Sequence, residues 1–288
     1  MEERKTIYLC LAHMSETGEE QKYVKEAFDT NWVVPLGPNV NGFEDDLKAF
    51  VSKNSDGSEL SREVVALSAG TAAVHLGLLA SGVGPGDEVC VQSFTFCASS
   101  HPITYLGATP VFIDSEPDSW NMDPELLEKA IIDRKEKTGK YPKAIVPVAL
   151  YGMPYDCDKI MAISEKYGIP VVEDAAEGCG SRWKGQVLGT FGKFGVLSFN
   201  GNKMITTSGG GALICQDAES KNNVMWYATQ ARDAYPYYQH TAIGYNYRMS
   251  NVCAGIGRGQ MTVLEDHIAH HKHVQELYKE LLKDVEGV

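Results

Sequence analysis

The sequence predicts an α/β fold built on a mainly parallel sheet. Two observations carry this reading. From about residue 63, short β-rich runs alternate with helical patterns. No internal repeat, low-complexity tract or disordered linker breaks that alternation. The length of 288 residues allows one large domain or two moderate ones.

The elements follow in order. Val64–Leu67 is the first predicted strand, and the small residues from Gly70 lead into a helix. Glu88–Gln92 is the second strand, with a helix starting near Cys97. Pro110–Ile113 and Ala144–Val148 are the next two, followed by helices opening at Asp123 and Asp156 respectively. Both helices begin on acidic residues and carry apolar side chains at helical spacing. Pro170–Glu173 and Gly195–Phe199 complete the main set. Gly211–Cys215 follows a glycine run and reads as one further strand, for which an antiparallel direction is open. The stretch Val263–Leu282 is polar and helical in pattern, with no predicted sheet or core around it. It reads as the start of a second lobe absent from this chain, which divides the sequence into 1–255 and 256–288.

Composition excludes some classes of function. Hydrophobic content of 43% and charged content of 22% are those of an ordinary globular protein. A net charge of −12 argues against a nucleic-acid-binding surface, which needs a basic field. The seven cysteines, Cys10, Cys90, Cys97, Cys157, Cys179, Cys215 and Cys253, are scattered and form no C-x-x-C pair. Buried reduced thiols are the plain reading. The start, Met1-Glu-Glu-Arg-Lys, has no apolar signal core, and no uncharged apolar run reaches membrane length. The expected location is the cytoplasm.

Ligands of open α/β sheets bind outside the carboxyl ends of the strands, and three strand ends here carry unusual chemistry. In Leu67-Ser-Ala-Gly-Thr-Ala-Ala-Val-His a strand runs into small residues and then a helix, exposing amides suited to a phosphate. A tight turn with no ligand accounts for it as well. In Val171-Val-Glu-Asp-Ala-Ala-Glu, Asp174 sits at the ligand edge, where a carboxylate needs a charged partner such as a pyridinium nitrogen. A helix-capping aspartate is the bland alternative. In Ser198-Phe-Asn-Gly-Asn-Lys, Lys203 follows a strand and precedes an apolar pair and a glycine run, the setting a Schiff-base lysine needs. Ser198 could offer a phosphate its hydroxyl. A solvated loop lysine is the alternative, and Lys193 in Phe191-Gly-Lys-Phe-Gly is a local rival.

Taken in this order, the segments resemble the DegT-type family of pyridoxal-phosphate (PLP) sugar aminotransferases, of the aspartate-aminotransferase fold (fold type I). The resemblance runs from Thr30-Asn-Trp-Val-Val-Pro-Leu-Gly-Pro-Asn-Val through Ser68-Ala-Gly-Thr-Ala-Ala, Thr95-Phe, Leu150-Tyr-Gly-Met-Pro, Glu173-Asp-Ala-Ala-Glu and Ser198-Phe-Asn-Gly-Asn-Lys to Gly244-Tyr-Asn-Tyr-Arg-Met-Ser. It implies a large PLP-binding domain with a mainly parallel seven-stranded-type sheet, and a small C-terminal domain largely missing here. It further implies that Lys203 carries the cofactor as a Schiff base and that Asp174 pairs with its ring nitrogen. Phe96 matches the aromatic position that stacks on the ring. Gly70, Thr71 and Ala72 match the phosphate turn, with Ser198 adding a hydroxyl. Asn246 matches a residue that reaches the phosphate from the neighbouring subunit of a homodimer, and Arg248 beside it is a candidate for binding the donor or nucleotide.

The implied reaction moves an amino group from glutamate to a nucleotide-linked keto-sugar. Glu177, near the cofactor's phenolic oxygen, replaces the His or Gln of many relatives. With the Asn200-Gly-Asn-Lys wording, it resembles a subgroup acting on UDP-linked 4-keto-6-deoxy-N-acetylhexosamines. Ala149 replaces a frequent His, a change without a physical account. A 3-keto-sugar aminotransferase and a non-catalytic regulator that binds the same ligands are the alternatives. A dehydratase of the same family is opposed by Lys203, which that branch replaces with histidine. His267, His270, His271 and His273 share one helical stretch, and His267 with His270 or His271 has the spacing of a ligand pair. No third ligand follows, so no metal is expected, and His75 reads as a packed core histidine.

Overall fold

The computed structural model describes Thr6 and residues 12–287; Cys10 and the Met1–Lys5 stretch lie outside the described residues. Nine strands are present among these: β1 (Glu63–Leu67), β2 (Glu88–Gln92), β3 (Thr109–Ile113), β4 (Ala144–Val146), β5 (Val172–Asp174), a small hairpin of β6 (Arg182–Trp183) and β7 (Gln186–Val187), β8 (Phe194–Ser198) and β9 (Gly211–Cys215). Parallel bridges Ile145–Val171 and Val148–Asp174 join two groups of strands into one sheet. Its order is β3-β2-β4-β5-β8-β9-β1. The β9 strand runs antiparallel to both its neighbours, β1 and β8, and the other pairings are parallel. The expected mainly parallel seven-strand architecture is therefore present.

Period-two alternation divides the strand residues between two cores. Val64, Ala66, Ala212 and Ile214 face one, while Val65, Leu67, Leu213 and Cys215 face the other. The first core is covered by α2 (Pro38–Val51), α5 (Pro124–Thr138), α6 (Cys157–Tyr167) and α8 (Asn251–Met261). The second is covered by α3 (Gly70–Ala80), α4 (His101–Tyr105) and α7 (Ala218–Ala228). Helix α1 (Glu19–Asp29) packs on α8. Each wholly buried leucine or isoleucine in these layers contributes about 1.5–3 kcal/mol. Burial pushes the thiols of Cys90 and Cys179 up to about 12, so both are inert.

Local chemistry explains where helices start. The Asp123 carboxylate accepts from the amides of Glu125 and Leu126, and that of Asp156 accepts from the amide of Lys159, capping α5 and α6 as expected. The helix expected near Cys97 is broken. A 3-10 turn over Cys97–Ser99 is followed by the short α4, which begins at His101 and carries Pro102, with no amide hydrogen to continue the preceding turn, in its first turn. The final helix, α9 (Leu264–Leu282), also departs from expectation. Leu264 and Ile268 in its first turns join the main core, and Ile268 fills the space left by the missing side chain of Gly180. The boundary expected after residue 255 falls inside α8, which packs on α1 and α2. Among the described residues no helix is long and apolar enough to cross a membrane.

Candidate active site

Asp174 is the last residue of β5 and is buried. Its backbone is fixed by bonds to Pro147 and Ala149 across the sheet. Alternation along the strand sends Glu173 to the opposite face, where its carboxylate accepts from the amides of Gly189, Phe191 and Gly192 at 2.9, 2.6 and 2.6 Å. The Asp174 carboxylate instead accepts from the Ser99 hydroxyl at 2.6 Å and the Ala176 amide at 3.1 Å. Burial pushes Asp174 above the usual carboxylate range, and the two donors with the Lys203 charge pull only partly back.

The amino end of α3 lies against the end of β8. Ala69 precedes the helix in extended conformation, and no side chain caps the first amides. Gly70 makes this approach possible: a Cβ there would stand 3.0 Å from Ser198 Cβ and 3.2 Å from its Oγ. Gly211 does the same from β9, since a Cβ there would meet the Gly70 amide nitrogen at 2.4 Å. Gly70, Ala72 and Ser198 are buried and Thr71 half-buried. Uncapped amides beside a buried hydroxyl suit an anion.

Lys203 stands in the connection from β8 to β9. Its amine donates to Glu177 Oε1 at 3.1 Å, and the side chain is 16% exposed, against 67% for Lys22 and 69% for Lys159 in surface pairs. The other oxygen of Glu177 accepts from the Tyr151 amide at 2.7 Å. Tyr151 itself adopts a left-handed backbone, φ 52°, with its ring outward. The rival Lys193 lies at the opposite end of β8, its amide bonded to Val171, so the sheet separates it from Asp174. Phe96 presents a ring 73% exposed on the connection after β2.

Asn246 is exposed, next to a backbone bridge with Thr229. Arg248 is turned into the body of its own chain. It lies 3.9 Å from Glu44 Oε1 and contacts the Met225 sulfur. His75 is buried among Tyr105, Tyr245 and Tyr247. His267 meets the Met204 carbonyl at 3.2 Å. No group of three or more potential metal ligands is assembled among the described residues.

Sequence reasoning missed the polar groups behind the site. Ser99 and Thr95 bond to each other at 2.8 Å. Gln92 at the end of β2 and Asn121 after β3 are both fully buried and bond to one another. Between them they also engage Phe94, Met122, Val148, Leu150 and Met153. The available signal was a glutamine closing the apolar run Val89–Val91.

The chain is similar to known proteins along nearly its whole length. The DegT/DnrJ/EryC1/StrS aminotransferase family matches residues 14–288. The chain is 47% identical to EpsN of Bacillus subtilis (strain 168) over 284 residues, covering 99% of this chain and 70% of that protein. It is 37% identical over 272 residues to the GDP-perosamine synthase of Escherichia coli O157:H7, covering 94% and 71%. Among solved structures, a DegT DnrJ EryC1 StrS aminotransferase from Brucella abortus superposes with a TM-score of 0.86 at 31% identity, over 93% of this chain and 70% of that one.

Proposed function

Because the chain belongs to the DegT/DnrJ/EryC1/StrS aminotransferase family, whose members are PLP-dependent sugar aminotransferases, we propose that it transfers the amino group of glutamate to a nucleotide-linked keto-sugar, with Lys203 holding the cofactor. The observation that carries this assignment is the weakly exposed Lys203 amine, with Glu177 as its one side-chain partner among the described residues, whose charge acts on the buried Asp174.

The residues present fit the cofactor. Asp174 is a buried carboxylate pushed upward by desolvation, with no cation within salt-bridge distance among the described residues; a pyridinium nitrogen would supply one. Gly70, Thr71, Ala72 and Ser198 form an anion cradle, and Phe96 offers an open ring for stacking. When bound, PLP supplies an electron sink for deprotonation at the amino-bearing carbon.

The chain's own groups do the rest. Asp174 holds a positive charge at the ring nitrogen's position. The α3 amides and Ser198 fix the phosphate. Lys203 Nζ, once free of Glu177 and of the cofactor, carries the proton to and from the reacting carbon, a transfer that typically contributes about 10² to 10⁴ in rate. Asn246, exposed on its own chain, completes the phosphate site of a second copy, so the active unit is an isologous homodimer.

Glu177 and the Asn200-Gly-Asn-Lys segment support a UDP-linked 4-keto-6-deoxy-N-acetylhexosamine, aminated at C4. The test supplies [15N]glutamate with 4-keto and 3-keto nucleotide sugars and follows label into the sugar. Label at C4 is expected. A preference for the 3-keto sugar would overturn the subgroup assignment, and no transfer to either sugar would overturn the reaction.

A further inference from the structure

A short chain of hydroxyls ends on Asp174, and no role in the reaction has been given to it. The Ser99 hydroxyl is 2.6 Å from Asp174 Oδ2 and 2.8 Å from Thr95 Oγ1. Ser99 is 1% exposed, so water does not compete for these bonds. A serine hydroxyl has one proton, and an ionised carboxylate has none to offer. The proton of Ser99 is therefore directed at Asp174. Ser99 must in turn accept from Thr95, and the relay has one direction, Thr95 to Ser99 to Asp174.

We propose that Ser99, oriented by Thr95, is a positioning residue that keeps Asp174 ionised and aimed at the cofactor's ring nitrogen. The proposal rests on the assignment of Asp174 above. The geometry separates the two carboxylate oxygens: Oδ1 meets the Ala176 amide and Oδ2 meets Ser99. Each keeps a lone pair for a cationic N–H, while rotation of the carboxylate would break both bonds. An O–H···O⁻ bond of this length belongs to the strong, charge-assisted class. It acts against the burial that pushes Asp174 toward its neutral form. Neutral Asp174 could no longer stabilise a charge on the ring. The charged groups acting on Asp174 are Lys203, from the connection after β8, and Glu177, from the segment after β5; both remain in every variant below.

The relay also binds the site mechanically. Thr95 precedes Phe96, and the Ser99 amide donates to the Phe96 carbonyl at 3.1 Å. The stacking ring and the carboxylate are thus placed by one turn of chain.

Two measurements test the proposal. In cofactor-free protein, 13C-carboxyl NMR follows the titration of Asp174, assigned by the signal lost in Asp174→Asn. Ser99→Ala should move the midpoint upward, Ser99→Thr should restore it, and Thr95→Val should give a smaller upward shift. In protein loaded with PLP labelled with 15N in its ring, Ser99→Ala should move the nitrogen signal toward the neutral pyridine position and weaken cofactor binding about tenfold or more. A folded Ser99→Ala protein with the wild-type carboxyl midpoint and ring signal would overturn the relay. Thr95→Val with no shift would overturn the orienting role. An unchanged ring signal in Asp174→Asn would overturn the pairing of Asp174 with the ring, and the cofactor-free titration would then still decide the relay.

Discussion

Gln92 and Asn121 bond side chain to side chain, Nε2 to Oδ1 at 3.2 Å, with neither reachable by water. This one pair ties together the segments leaving β2, β3 and β4. Gln92 Oε1 accepts from the Met122 amide, and Asn121 Nδ2 donates to the Met153 carbonyl. The outward residues Phe94, Trp120 and Tyr151 stand on those same segments. Replacing Gln92 or Asn121 by Leu should each cost about 2 kcal/mol or more, because buried amide groups are left without partners. Urea unfolding of both single variants and the double should also show a coupling of about 0.5–3 kcal/mol. Additive losses would mean that the two side chains act independently.

The lysines give the sharpest test of the site. Lys203→Ala should lower turnover by about 10²-fold or more. Lys193→Ala should leave it unchanged, because Lys193 sits at the far end of β8. Borohydride reduction of the loaded protein followed by peptide mapping should find the cofactor on the peptide containing Lys203. A label on Lys193 would reverse the assignment.

The pH dependence of stability should carry the mark of Asp174. Burial holds its folded value above that of the unfolded chain. The folded state then binds the proton more tightly, so this contribution is fully present below the unfolded value of about 4 and is lost as pH rises through the raised one. In cofactor-free protein, the melting temperature of wild type relative to Asp174→Asn should fall as pH rises across that window. Bound cofactor should reverse the trend by providing a positive partner. Parallel pH profiles with and without cofactor would contradict the account.

Two glycines separate stability from binding. Gly211→Ala would drive a Cβ into the backbone of Ala69 and Gly70, at 2.4–2.7 Å. Thermal unfolding should show a loss of about 1–3 kcal/mol or more. Gly70→Ala would press instead on the Ser198 side chain. Its larger effect should be on cofactor affinity, measured by fluorescence titration. Equal effects of the two on affinity would argue against an anion cradle at this turn.

Local rules made much of this molecule legible. Apolar runs of β-branched residues marked the sheet strands to within a residue or two, and Asp123 and Asp156 marked two helix starts because their caps bond to amides a few residues on. The hidden features were long-range. Ser99 lies 75 positions from Asp174, and Gln92 lies 29 from Asn121. No spacing rule pairs a serine in the connection after β2 with an aspartate at the end of β5. Helices α1, α2, α7 and α8 went unread because the alternation that defined the fold begins at residue 63 and the terminal segments only wrap around it. The inward turn of Arg248 toward Glu44 was equally invisible, since the arginine's neighbours in sequence are ordinary loop residues.

The position of β9 bears on how the chain comes to be assembled. β1 borders the sheet, pairs along its whole length with β9 from Glu63–Cys215 to Leu67–Gly211, and meets residues 247–249 on its other edge through the Leu67–Arg248 bridge. During synthesis, β1 leaves the ribosome early and waits without a hydrogen-bonding neighbour until residues 211–215 have emerged. Its apolar run Val64–Leu67 is then an open edge, the kind of surface on which nascent chains join one another. The site inherits the same timing. Gly70 reaches its place against Ser198 only when β8 has formed and β9 has closed between it and β1. The turn at Gly70, though encoded well before β9, cannot take its final shape until residues 211–215 have been made.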